Sequence, residues 1–130
     1  MTDQINNPNN PRQLSLQRAQ HAYEYIDHLA PAVGIKFANL AKNAPAAIMA
    51  NGLGQSMAFW KSKNEQQYTK LVDALSRWVI KRLSLQVPAN QDLLYWVINN
   101  ASDMQYRHAT AEAIEYLIWV KRLASIKFPG

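Results

Sequence analysis

The closing segment SDMQYRHATAEAIEYLIWVKRLASIK (residues 102–127) constrains the fold more than any other part of the chain. Its apolar residues recur at helical spacing, with Tyr106, Ala113, Ile114, Tyr116, Leu117, Val120, Leu123 and Ala124 covering more than half of the circumference. A helix apolar over that much of its surface cannot rest on one neighbour; several others have to wrap it, as in the middle of a bundle. Ser102 and Gln105 have the S-x-x-Q form of a capping box, which fixes its start. Run through Lys127, the helix is about 37 Å long at ~1.5 Å per residue.

The rest of the chain supplies the wrapping. From Gln66 to Leu83 the pattern is strongly amphipathic, and Tyr68, Leu71, Val72, Leu75, Trp78 and Val79 fall within one arc. Pro11 suits the first turn of an earlier helix capped by Asn10. Leu16, Ala19, Tyr23, Ile26 and Leu29 give that helix its expected apolar face, and Pro31 with Gly34 is expected to end it. A second stretch runs from Ile35 to Lys42. A short one runs from Pro45 to Ala50 with Asn43 as its cap, and Met57, Phe59 and Trp60 continue helically. Beyond Pro88, Asn90 is expected to cap a short helix carrying Leu93, Leu94, Trp96 and Val97, while Tyr106 and Trp78 read as core. No segment alternates as a strand and none repeats. The expected fold is all-α: a single-domain helical bundle of about six helices over residues 11–130, with a long C-terminal helix. Residues 1–10, rich in Asn, Pro and Gln with little to bury, are expected to form a disordered leader.

Residues 51–55 read NGLGQ, two glycines one residue apart. A dinucleotide loop needs a third glycine where Met57 stands and a strand before it, and a Walker-type loop needs Gly-Lys-Ser/Thr where the chain has Gly54-Gln55-Ser56. The pair therefore reads as joinery between helices. Gly52 takes a left-handed conformation past a helix end with Leu53 as the accompanying apolar contact, and Gly54 lets the next helix start at close approach.

Composition removes other classes. The 130 residues contain no cysteine, which excludes disulfides and thiolate metal sites and fits a reducing, cytoplasmic setting. No apolar run reaches the ~18 residues of a membrane span, and MTDQINNPNNPRQ has no apolar segment behind a basic start, so neither membrane nor signal peptide is expected. His21, Glu24 and His28 share one face of the first helix, but that face is expected in water, without the enclosure that metal sites need, so no metal is assigned. Glu112 and Glu115 lie beside His108 and Arg122 on the polar side of the last helix and read as surface pairing. No Gly-x-Ser-x-Gly elbow is present. No catalytic residue, no cofactor and no enzyme activity is expected.

The cations carry more information. Lys61, Lys63, Lys70, Arg77, Lys81 and Arg82 face only Glu65 and Asp73 across residues 61–82, which holds +4 of the chain's net +5. Lys70, Arg77 and Lys81 fall within ~40° of one another, opposite the apolar arc. Such a stripe can track a phosphate backbone; it can equally be a solvated face. Trp119, near Arg122 and Glu115, is a candidate partner-interface anchor, or a ring covered by another helix.

Taken together, Arg18-Ala19 with Ala22-Tyr23, PAAIMANGLGQSMAF (Pro45–Phe59), the series Tyr68, Leu71, Leu75, Trp78, and YRHATAEAIEYLIWVKRLA (Tyr106–Ala124) resemble the small all-helical subunit of the Cmr complex, over about residues 14 to 125. Cmr is the type III-B CRISPR–Cas effector that silences RNA in antiviral defence. The resemblance implies a non-catalytic subunit that stacks in a few copies beside the guide-bearing backbone and contacts target RNA. Other Cmr subunits, further copies of itself and target RNA would then be its partners. It marks Arg107 and Lys121-Arg122 as candidate contacts, since they match the family's Tyr-Arg and Lys-Arg elements. Two departures stand out: the Asn/Pro leader has no counterpart, and Val33–Asn43 is less basic than the family would suggest. The alternative is a purely protein-binding helical scaffold without direct RNA contact.

Overall fold

The computed structural model describes residues 10–130. The expected disordered leader therefore lies outside the described residues except for Asn10, whose side chain accepts from the backbone N–H groups of Arg12 and Gln13 and so caps the first helix. Seven helices occur among the described residues, where the sequence suggests about six: α1 (Pro11–Asp27), α2 (Pro31–Ala41), α3 (Ala44–Asn51), α4 (Leu53–Ser62), α5 (Gln66–Leu83), α6 (Leu93–Asn99) and α7 (Asp103–Lys127). No strand occurs among the described residues, and none of the helices is long and apolar enough to cross a membrane.

Helix α7 is the axis. It opens with the expected reciprocal capping box between Ser102 and Gln105 and packs against α1, α2, α3 and α5. Ala109, Ala113, Tyr116, Leu117, Val120 and Ala124 are buried along one arc of the helix, and Ile114, Trp119 and Leu123 are partly buried on its flanks. Helix α5 buries the arc read from its sequence, from Leu71 to Val79, and leaves Lys70, Arg77 and Lys81 exposed.

Helix α1 departs from expectation. Ala22, Ile26 and Leu29 are buried, but Leu16 and Tyr23 are exposed. The inward face is turned by roughly 60° from the expected one, counting ~100° per residue, and it includes Arg18. Pro31 does not merely stop α1; it is the first residue of α2, where its missing N–H costs nothing. The short α6 is capped by Asp92, which accepts from the Tyr95 N–H, and not by Asn90.

The NGLGQ stretch is joinery. The Gly52 N–H closes α3 on the Ile48 carbonyl, and its own carbonyl accepts the first bond of α4, from Ser56. Gly52 holds φ 87°, ψ 158°, a region open in practice only to glycine, rather than the left-handed helical one. Leu53 is fully buried. Gly54 is less demanding: its N–H donates to the Tyr106 hydroxyl at 3.1 Å, and a Cβ there would meet Val97 at 3.4 Å, ordinary contact.

Gly34 stands inside α2, not at a helix end, because the Phe128 ring lies directly on it and a Cβ would overlap that ring. Alanine would gain roughly 1 kcal/mol of helix propensity, yet displacing Phe128 forfeits about 2–3 kcal/mol of burial. Gly34→Ala is thus expected to destabilise by about 1–2 kcal/mol, and to become stabilising in a Phe128→Ala background. Urea melts of the two single variants and the double variant check this, and a stabilising Gly34→Ala in the native background would refute the packing account.

Candidate nucleic-acid interface

Beneath the basic helix lies a polar network that sets its position. Arg18 reaches from α1 to α7 and holds the Glu112 carboxylate with two hydrogen bonds, Nε to Oε2 at 2.6 Å and Nη2 to Oε1 at 3.0 Å. The Trp78 indole N–H, from α5, donates to the same Oε2 at 2.8 Å. Glu112 is only 7% exposed, so it is no surface pair as its neighbours in sequence suggest. On the helical projection it lies at the edge of the arc formed by Ala109, Ala113 and Tyr116. The hydrogen bond to Glu112 raises the pKa of Arg18 further above its already high ordinary value.

Beside this network, Trp78 stacks on Tyr116 with ring centroids 5.7 Å apart, and His21 meets both rings edge-on or tilted. His21 Nδ1 lies 2.7 Å from the Tyr116 hydroxyl. Burial raises the tyrosine pKa, so its hydroxyl is protonated. Burial, and then the Lys81 charge, lower that of His21. The imidazole and the hydroxyl therefore share one hydrogen bond, whose donor is set by the tautomer of His21. His28 Nδ1 lies 2.7 Å from the carbonyl of Glu24, so the His21, Glu24 and His28 side chains do not converge.

The cations divide into four settings. Lys70 and Lys81 are exposed on α5 and make no ion pair among the described residues. Arg77, between them, pairs with Asp73 one turn back at 3.0 Å, and that carboxylate also accepts from the Tyr25 hydroxyl at 2.8 Å. Lys61 ties α4 to the Asp92 cap of α6, and Lys63 lies over the Phe59 ring, 4.7 Å from its centroid. Arg82 turns away from the stripe into the cleft between α1 and α5, where its Nε is buried without a partner among the described residues. Arg107, Lys121 and Arg122 are exposed on α7, the first about 21 Å from the others along the axis at ~1.5 Å per residue, so they form no single patch with one another. Trp119 is half-buried, and its indole N–H donates to Ser15 Oγ at 3.1 Å, so α1 already occupies its polar edge.

The arrangement holds buried polar groups in place and presents uncommitted positive charge outward, which suits recognition of a polyanion. A family model described as CRISPR-associated protein (Cas_Cmr5) matches residues 14–127. The chain belongs to the Cas_Cmr5 family. It is a small helical subunit of the Cmr type, as the resemblance in sequence implies. The fold agrees. The X-ray crystal structure of a CRISPR-associated Cmr5 family protein from Thermus thermophilus matches with a TM-score of 0.66 at 22% identity, over 89% of this chain and 96% of that one. No curated protein matches in sequence.

Within this Cmr5-family chain the motifs read from sequence have distinct physical uses. Tyr106 of the Tyr-Arg element receives the Gly54 N–H and so ties α7 to the NGLGQ joint, while Arg107 next to it faces outward. Arg18, which enters the resemblance only as half of an Arg-Ala pair, is the core ligand of Glu112. Residue type alone hides this. What gives it away is phase, since Arg18, Ala22 and Ile26 follow one another at four-residue steps on the buried side of α1.

Proposed function

We propose that this Cmr5-family chain is a non-catalytic subunit of a type III-B CRISPR ribonucleoprotein, stacked in copies beside the guide-bearing backbone and touching target RNA through the outer face of α5. The observation that carries the RNA contact is the pair Lys70 and Lys81, exposed on the side of α5 opposite the core with no carboxylate partner among the described residues. Each phosphate neutralised by such a cation releases counterions, so binding through this face is salt-dependent and indifferent to base. The non-catalytic part is supported by where the polar groups go: Glu112, Arg18, His21 and Tyr116 are spent on one another. One observation favours a protein-binding scaffold instead. Met49, Phe59, Ile98 and Met104 are large apolar side chains left exposed on α3, α4, α6 and α7. On the proposed reading these serve contacts with other subunits, beside the RNA face.

Reconstitution separates the two. A guide-loaded Cmr complex prepared with and without this chain is assayed for target RNA binding at two salt concentrations. Incorporation with tighter, salt-sensitive binding is the expected result. Incorporation with no effect on RNA would leave the scaffold, and failure to incorporate would defeat both.

A further inference from the structure

Helices α1 and α5 run antiparallel, pinned by the bond from the Tyr25 hydroxyl to Asp73 and by the contact of His21 with Trp78 at 5.4 Å between ring centroids. One turn further on, a cleft of about 450 Å³ lies between them. That is within the size range of small-molecule sites, with room for one nucleotide and none for a duplex. Its α1 wall presents Gln17, Gln20 and His21, and its α5 wall Trp78, Lys81 and Arg82. Glu24 closes one end and holds the Gln20 amide loosely, at 3.4 Å.

Three features of this cleft point to a ligand. Arg82 Nε is buried with no hydrogen-bond partner among the described residues, an unsatisfied donor beside the cleft. Lys81 belongs both to the cleft and to the exposed stripe that begins at Lys70, about 16 Å away along α5 at ~1.5 Å per residue. Gln17 and Gln20, both exposed, bring donor and acceptor atoms together on one wall, the combination that a base edge requires. Two cations against one carboxylate select an anion, and the single carboxylate at one end gives that anion an orientation.

We propose that this cleft takes one unstacked nucleotide of the single strand lying along α5, with its phosphate on Lys81 and Arg82 and its base edge on Gln17 and Gln20. The proposal rests on the RNA-contacting reading above and adds the place where the strand leaves the surface. Trp78 and His21 form the floor, held in position by Glu112 and Tyr116.

The test uses the assembled complex and target RNA carrying a single 4-thiouridine walked along its length. At one register, irradiation is expected to cross-link the RNA to residues 17–21 or 78–82. Gln17→Ala with Gln20→Ala is expected to weaken target binding about 3- to 10-fold, the value of one or two lost hydrogen bonds, without changing its salt slope, because no cation is removed. Both glutamines are exposed, so unchanged melting certifies the fold. Cross-links confined to the rest of α5 or to α7, with full affinity in the glutamine double variant, would overturn the cleft and leave the RNA contact standing. No cross-link to this chain, with binding indifferent to its presence, would overturn both.

Discussion

Glu112→Ala is expected to destabilise this domain by about 3–5 kcal/mol, the usual cost of removing one partner from a buried ion pair. The reason is specific to the geometry. The carboxylate is 7% exposed and receives two bonds from Arg18 and one from Trp78. Alanine leaves a guanidinium without its counter-charge and an indole N–H without an acceptor, in a place water reaches poorly. Glu112→Gln keeps an acceptor for Trp78 but not the charge, and is expected to fall between. Replacing Arg18 and Glu112 together with Met and Leu is expected to restore much of the stability, since the charges then need no desolvation. Urea unfolding gives the differences as midpoint shifts at unchanged slope. A change below about 1 kcal/mol in Glu112→Ala would mean that the network is solvated, and the buried-pair account would fail. Because Trp78 is anchored by Glu112 and floors the cleft, the partly stable Gln variant is also expected to loosen that floor, visible as a shifted Trp78 indole resonance.

How much of the fold is legible in the sequence depends on how local each signal is. Helix α5 is legible because its apolar arc and its charged stripe both repeat with the helical period within one segment. The central position of α7 follows from apolar residues on too many sides for one neighbour, and its start from a short local motif. The face of α1 is misleading because Leu16 and Tyr23 read as core by type, whereas the helix turns them outward and spends an inward position on Arg18. Arg18 and Glu112 are 94 residues apart in sequence, and each alone looks like an ordinary surface charge. Their partnership exists only once α1 lies on α7. The same holds for Gly34, which reads as a helix end until Phe128, at the other end of the chain, is seen lying on it. Of the candidate interface, the sequence reveals the cations but not which are committed. Asp92 takes Lys61 and Asp73 takes Arg77, and neither pairing can be told from charge counting. The cleft is hidden for a similar reason: Gln17 and Gln20 are ordinary residues on one helix and become a wall only opposite Lys81 and Arg82.

That sorting of cations decides which variant tests the RNA face cleanly. Arg77→Glu would set a carboxylate one turn from Asp73 and disturb the Tyr25–Asp73 bond that pins α1 to α5, so weaker binding could come from the fold. Lys70 and Lys81 make no ion pair among the described residues and stand in solvent, so Lys70→Glu with Lys81→Glu is expected to change stability by no more than about 0.5 kcal/mol. In the assembled complex the same double variant is expected to bind target RNA roughly 10- to 100-fold more weakly at low salt. Its plot of log K against log salt is expected to be shallower by about 1.4, the share of two phosphate contacts on a single strand. The two readouts guard each other: a weaker complex with an unchanged slope would point to a disturbed subunit interface elsewhere, because only displaced counterions alter the slope. Full affinity at both salt concentrations, with the variant incorporated, would make the α5 stripe a solvated face. The exposed apolar residues Met49, Phe59, Ile98 and Met104 would then be the surfaces through which this subunit acts.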